Sequence, residues 1–301
     1  MEHYVTLFDR LFLPQGLALQ LSMERHAGEY LLWILCVDDE TYEVLTKLSL
    51  PNVRLLQLSS LETEELKKVK PTRSKGEYCW TLTPFAPRFV FESDNSVYRV
   101  TYIDADMWFR KNPGSIFQEF NASGKYVLIT DHAYAPEYDS SATSGQYCVQ
   151  FMTFIRNEGE VVRKWWEEKC LDWCYAHFED GKFGDQKYLD DWSERFNEYV
   201  HVLSNKELIL APWNATRYPY GNACVWHFHS LRLIPKHNAL SIFFGNYYLS
   251  KIIRHNIYAP YIQDLHKSID ILVRYGVQVR PQITQTFVDQ MMRNLRSLFK
   301  R

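Results

Sequence analysis

Val97-Tyr98-Arg99-Val100-Thr101-Tyr102-Ile103-Asp104-Ala105-Asp106-Met107-Trp108-Phe109 is the stretch that decides how this chain is read. Its β-branched and aromatic residues predict a buried strand that climbs to two aspartates. Burying two carboxylates is costly unless something positive meets them. Alternate strand residues point the same way, so Asp104 and Asp106 can face one point at the strand's carboxyl end. Ligand crevices of open α/β sheets lie at that end. A divalent cation shared with a diphosphate would satisfy both acids. A pair of turn aspartates closing a strand is the plainer alternative.

Upstream, residues 4–8 read as a first strand ending at Asp9, followed by a loop over 11–16 and a helix over 17–26. Residues 29–37 form a continuous apolar run, the pattern of a strand covered on both faces. Asp38 or Asp39 caps a helix through Leu48. A third strand over 53–58 leads to a helix over 61–69, opened near Ser60. This β-α-β-α-β order implies a parallel wound sheet.

Downstream of the aspartates, Asn112-Pro113-Gly114 turns into a helix over 115–120, and residues 125–130 and 147–155 read as strands. The loop 131–146 between them has no periodicity; its length suits a lid or an acceptor-binding loop, or a mobile surface loop. Past Asn157-Glu158-Gly159, a helix carries Val161, Val162, Trp165, Trp166, Trp173 and Cys174, a stripe read as core. Residues 181–191 break that helix and restart it at Asp185. Short strands over 200–203 and 208–210 precede a last strand over 223–229, and helices are expected over 246–256, 260–275 and 283–300. The expected fold is α/β: a wound mixed sheet flanked by helices, with a Rossmann-like nucleotide-binding half, over residues 1–233. A C-terminal helical extension would occupy 234–301.

The 301 residues suffice for one large α/β domain or two small ones. With 46% apolar and 23% charged residues, a disordered chain is excluded. Aromatic residues reach 16%, which suits a thick core and also a carbohydrate- or base-stacking site. The six cysteines show no Cys-x-x-Cys spacing and read as reduced core thiols; Cys170 and Cys174 lack the partners of a zinc site. Charge is uneven: residues 251–301 carry a net +6 and the body −8. A basic tail on an acidic body points to an anionic partner such as a membrane surface, and nothing suggests nucleic acid. Residues 287–301 set apolar positions beside a basic face, so the segment can lie on an anionic membrane, or pack on the domain or on a second subunit of a homodimer. The N-terminus lacks a secretory pattern and no apolar run is long enough to span a bilayer. A cytoplasmic protein is expected, peripheral at most to the inner face of the membrane.

Three motifs occur in a telling order. Asp104-Ala105-Asp106 follows the wound half, Gly184-Asp185-Gln186 opens a helix, and His227-Phe228-His229-Ser230-Leu231-Arg232 closes the domain. In that order they resemble the nucleotide-sugar glycosyltransferases of the GT-A fold. The nearest likeness is to the retaining family 8 enzymes such as glycogenin, and to bacterial surface-polysaccharide transferases related to them. The resemblance covers about residues 3–233.

It implies a GT-A sheet and the transfer of a hexose, with retention, from a nucleotide sugar, a UDP-sugar foremost. The acceptor would be a saccharide or a lipid-linked one, in polysaccharide biosynthesis. A Mg²⁺ or Mn²⁺ held by Asp106, with Asp104 direct or through water or ribose, would neutralise the leaving diphosphate. In the family pattern a His followed by an aromatic, any residue and Gly supplies a third ligand. His227 fits that place, with Ser230 in the glycine's position, and His229, on the same face, is an alternative. An imidazole favours Mn²⁺. Arg232 stands where the family has a Lys and would clamp a phosphate. Asp185 would bind donor-sugar hydroxyls or cap its helix, and Gln186 would face the sugar opposite the leaving group. Asn214 would touch the sugar or shape a turn. Thr6, Phe8 and Asp9 would approach base and ribose; Arg73 and Lys75 would reach the pyrophosphate.

Two departures stand out. Relatives carry Asn and Gly in the strand where this chain has Cys148 and Gln150. They keep open a catalytically inactive nucleotide-sugar-binding protein. A sugar-nucleotide nucleotidyltransferase is the other alternative, although residues 5–20 lack its Gly-rich basic phosphate loop.

Overall fold

The computed structural model describes residues 1–236 and 239–283. The expected helix over 283–300 lies outside the described residues apart from its first position. Strands β1 (Glu2–Phe8), β2 (Tyr30–Cys36), β3 (Val53–Gln57) and β4 (Arg99–Ile103) form the wound half. Strands β1–β2, β2–β3 and β1–β4 pair in parallel. After a short strand β5 (Met107–Phe109) come β6 (Val127–Asp131), β7 (Tyr147–Ile155) and β8 (Val200–Val202). The seven-stranded sheet runs β3-β2-β1-β4-β7-β6-β8. It is mixed because β7 lies antiparallel to both β4 and β6.

Chain order reverses between β1 and β4, so the carboxyl ends of those two strands border the crevice typical of such sheets. Each strand alternates its side chains between two cores. Val5, Leu7 and Tyr102 pack with the helices Lys75–Leu82, Phe85–Ser93 and Glu160–Asp172. Tyr4, Phe8 and Ile103 pack with Leu13–His26, Asp39–Leu48 and Gly114–Ser123.

The helix Leu13–His26 starts four residues before the expected position, since Pro14 sits in its first turn, where a missing N–H costs nothing. Gly16 lets it lie against the end of β1: a Cβ there would meet the Phe8 ring at 2.4 Å. Asp38 caps the next helix through the Thr41 N–H. The expected helix over 61–69 is shorter, Glu64–Val69, because Thr63 and not Ser60 caps it. In Glu160–Asp172 the buried stripe is Val162, Trp166 and Cys170 at i, i+4 and i+8. Val161 faces solvent at 51% exposure, and Trp173 and Cys174 lie past the helix end. All six cysteines are unpaired, five of them buried.

A small sheet follows, in which β10 (Val225–His227) lies between β5 and β9 (Ile209–Leu210). The expected last strand over 223–229 is therefore shorter, and it is not the last. A hairpin of β11 (Arg232–Lys236) and β12 (Ala239–Phe243) comes after it, where a helical extension was expected. Only from Lys251 is the chain helical, through a π-turn at Arg254–Tyr258 into Ala259–Arg274, without the expected break. That last helix stacks Tyr261 on Phe228, ring centroids 3.5 Å apart, and Asp264 pairs with Arg25 and accepts from Trp108 Nε1 at 2.8 Å. The chain then returns to the end of β1. Arg10 donates to the Gln278 carbonyl, and the Gln282 side chain joins Leu11, Gln15 and Leu233. Among the described residues no helix is long and apolar enough to cross a membrane.

Candidate active site

Asp104 follows the last residue of β4, and its N–H bonds to the Gln150 carbonyl at 3.2 Å. The chain turns there, with the Met107 N–H on the Asp104 carbonyl, and enters β5. Antiparallel pairing sets Met107 opposite His227, and the Phe228 N–H donates to the Asp106 carbonyl at 2.9 Å. This register carries an imidazole from far downstream to the Asp-x-Asp turn. His227 Nε2 stands 3.0 Å from Asp106 Oδ1 and 3.7 Å from Asp104 Oδ2. One oxygen of each aspartate and one imidazole nitrogen all lie within 4.8 Å of one another.

The surroundings sort the charges. Burial pushes the Asp106 carboxyl up, but His227 and then Arg232, whose Nη1 is 3.6 Å away, outweigh it and hold the group ionised well below the usual carboxylate range. Asp104 goes the other way: burial raises it, His227 opposes, and Asp106 adds to the rise. Burial lowers the His227 imidazole, yet the two carboxylates win and keep its proton. Its other nitrogen, Nδ1, is 2.8 Å from Gln150 Oε1, which accepts the Nδ1–H and leaves Nε2 turned toward the carboxylates. Tyr102 donates to Asp104 at 3.0 Å. Two carboxylates and one imidazole, largely shielded from water, are a donor set that fits Mn²⁺ or Mg²⁺.

These groups form one wall of a cavity of about 680 Å³ at the carboxyl ends of β1 and β4. Phe8, Asp9, Asp104, Asp106, Asp185, Gln186, His227, His229 and Arg232 all line it. Asp185 is 3% exposed, and among the described residues one of its carboxylate oxygens has no partner. Burial, with Asp104 adding against the Thr83 hydroxyl, pushes its carboxyl up to about 7. It lies in a turn before the 3₁₀ helix Lys187–Asp191, which has no side-chain cap, so its carboxylate is not spent on capping. Gln186 donates to the Ser144 carbonyl at 2.8 Å. His229 stands outside the three-donor group, its ring centroid 5.6 Å from that of His227.

Four candidates do not line the cavity. Thr6 is fully buried. Arg73 bonds to the Leu171 carbonyl and packs 3.9 Å over the Tyr175 ring, leaving Lys75 as the cavity's cation from that segment. Asn214 shapes a turn, accepting from Ala211 N–H and donating to the His132 carbonyl. Ser230 takes φ +64, the left-handed region that favours glycine, at the place where the resembling family has one.

Sequence reasoning missed Trp80, Phe183, Tyr134, Trp213 and Tyr247 on the cavity wall, and the hydrogen bond of Gln150. Gln150 carried a signal: it is a long polar side chain in the middle of a strand buried along its whole length. Gly184, at φ +53, lets its loop press on Trp80, where a Cβ would sit 3.2 Å from the indole.

The fold is the GT-A fold of nucleotide-sugar glycosyltransferases. Over 91% of this chain it matches half (51%) of the bifunctional glycosyltransferase WbbM, with a TM-score of 0.52 at 14% identity. GlyE, a glycosyltransferase of Streptococcus pneumoniae TIGR4, matches with a TM-score of 0.51 at 13% identity, over 93% of this chain and 64% of that one. An active-site mutant of LgtC matches with a TM-score of 0.50 at 12% identity, over 76% and 87%. No family model matches. In sequence the chain is 35% identical to the uncharacterized protein YfnF of Bacillus subtilis strain 168 over 218 residues, 70% of this chain and 71% of YfnF. It is 28% identical to YfnD of the same strain over 284 residues, 89% and 90%. The chain belongs to the family of YfnF.

Proposed function

We propose that the chain is a metal-dependent, retaining glycosyltransferase that moves a hexose from a nucleotide sugar, a UDP-sugar foremost, to a saccharide or lipid-linked acceptor. The reading rests on one observation: Asp104, Asp106 and His227 converge within 4.8 Å on the wall of the large cavity. These three would hold a Mn²⁺ or Mg²⁺, which when bound offsets the charge of a departing diphosphate. Arg232 supplies a second cation for the diphosphate, Lys75 reaches the pyrophosphate, and Phe8 and Asp9 receive the nucleoside end. Asp185 and Gln186 face the donor sugar. In the transfer, the acceptor oxygen bonds to the anomeric carbon on the face from which the diphosphate oxygen departs, as the bond from that carbon to the diphosphate breaks, so configuration is retained. The electron pair leaves on the diphosphate, and the acceptor's hydroxyl proton passes to it. Residues 287–301, outside the described residues, give the chain a basic segment for peripheral contact with an anionic membrane.

Gln150 is one of the two departures, with Cys148, that keep an inactive binding protein open. Its bond to His227 Nδ1 instead suits a ligand imidazole held in one tautomer. Gln150→Leu, similar in size but unable to accept, is expected to weaken Mn²⁺ affinity about 10- to 100-fold, read by titrating Mn²⁺ against protein and nucleoside diphosphate. The general test is a thermal-shift panel of nucleotide sugars with and without Mn²⁺, followed by product analysis. Stabilisation by one donor only when Mn²⁺ is present is expected. A melting temperature indifferent to every donor would sink the reading.

A further inference from the structure

The cavity changes character along its length. Its formally charged lining residues are Asp9, Lys75, Asp104, Asp106, Asp185 and Arg232. All six belong to the nucleotide, metal or donor-sugar positions just described. The remaining end is walled by Tyr134, Trp213 and Tyr247, with Ser140 and Ser144 beside them; among the described residues no Asp, Glu, Lys or Arg lines it, and Arg217 meets it only at the Tyr134 carbonyl.

This end adjoins the metal-facing histidine. The Trp213 ring meets the edge of His227 with centroids 5.3 Å apart. Tyr247 packs against Tyr138 at 5.0 Å, and the Tyr138 hydroxyl accepts from the Tyr248 N–H at 2.8 Å. Tyr134 stacks on the buried His132 at 4.5 Å, and Trp213 Nε1 donates to the His132 carbonyl. The wall is thus fixed from behind by hydrogen bonds and buried rings. Tyr134 and Tyr247 are half-buried, and neither hydroxyl forms a hydrogen bond among the described residues.

We propose that this uncharged aromatic end is the acceptor subsite and takes a neutral pyranose, its C–H face against Tyr134 and Tyr247 and its hydroxyls toward the serine and tyrosine oxygens. The inference rests on the transferase reading and narrows it. A pyranose presents an apolar face and a polar rim, which is the pairing a tyrosine offers. An acidic sugar or acidic peptide would bring a carboxylate to a wall lined by no lysine or arginine, with Asp139 and Asp190 near enough to act on Tyr134. A bare lipid alcohol would leave the serine and tyrosine hydroxyls unmatched.

The test uses the full chain with Mn²⁺ and UDP, probed by saturation-transfer NMR with methyl β-glucoside, methyl β-galactoside, methyl β-glucuronide and an acidic peptide. Transfer to the ring C–H protons of a neutral methyl hexoside is expected, and not to the glucuronide or the peptide. Tyr134→Ala and Tyr247→Ala should each weaken that hexoside about tenfold or more. Tyr→Phe at either position should keep most of the stacking and lose the hydroxyl's share. The stabilisation by Mn²⁺ and UDP should be unchanged in all four variants. If UDP binds but no neutral hexoside does, or if both alanine variants bind it as the parent does, the subsite is wrong while the transferase reading stands. If Mn²⁺ and UDP themselves fail to bind, the transferase reading falls first. Preferential binding of the glucuronide or the peptide overturns the neutral-sugar assignment alone.

Discussion

Asp106→Ala is expected to abolish Mn²⁺-dependent nucleotide binding and to lower turnover at least about 10³-fold, the scale of losing the main stabiliser of a developing charge. The carboxylate is 10% exposed and faces His227 and Arg232 together. Removing it leaves an imidazole and a guanidinium near each other with their shared anion gone, a loss of about 3–5 kcal/mol when one partner of a buried pair is deleted. The variant should therefore melt earlier, and it should also behave distinctively toward ligand. Its cavity gains net positive charge, so nucleoside diphosphate alone should bind as well as before or better, while the response to Mn²⁺ disappears. That opposite movement separates a lost metal ligand from a damaged fold, in which both would decline together. Calorimetric titration of nucleoside diphosphate with and without Mn²⁺ reads it, and undiminished turnover in the variant would remove Asp106 from the mechanism.

Much of this site was legible in the sequence because its parts lie at the ends of strongly patterned strands. The apolar run of β2 and the fully buried strand Tyr147–Ile155 declared themselves by length and composition, and Asp104 and Asp106 sit where the wound half must end. What the pattern does not carry is register. Strands β5 and β10 have three residues each, too few for any periodicity, yet their pairing of Met107 with His227 is what closes the site. The hairpin of β11 and β12 was equally silent, since Pro235 and its mixed burial resemble a loop. Arg73 was a different case. Ser74 and Glu77 form a capping box, and both residue types stand in the sequence at the required spacing. That box starts the helix at Lys75 and leaves Arg73 outside it, which favours Lys75 for the cavity. Of the aromatic wall only the loop 131–146, which carries Tyr134, stood out in the sequence; Trp213, in the one-turn 3₁₀ helix Pro212–Asn214, and Tyr247, in a loop, join it only in the finished fold.

Asp185→Asn should make the protein more stable at alkaline pH and much less active. In the unfolded chain an aspartate titrates near roughly 3.9. In the fold, burial, with Asp104 adding, pushes Asp185 up to about 7. Between those values the folded state holds a proton that the unfolded state has released, so stability falls as pH climbs through the window. The rise sets a ceiling of about 4 kcal/mol on the effect above pH 7. Asparagine has nearly the same shape and carries no charge to desolvate. In metal-free buffer the variant should match the parent near pH 4 and exceed it at pH 8, as read from denaturant unfolding at both values. If the carboxylate faces the donor sugar as proposed, turnover should drop about 10²- to 10³-fold. The carboxylate would then be kept at a cost in stability, the expected sign of a group retained for chemistry and not for packing. A variant that is less stable at pH 8 and turns over normally would make Asp185 an architectural residue, and the donor sugar would have to be held elsewhere.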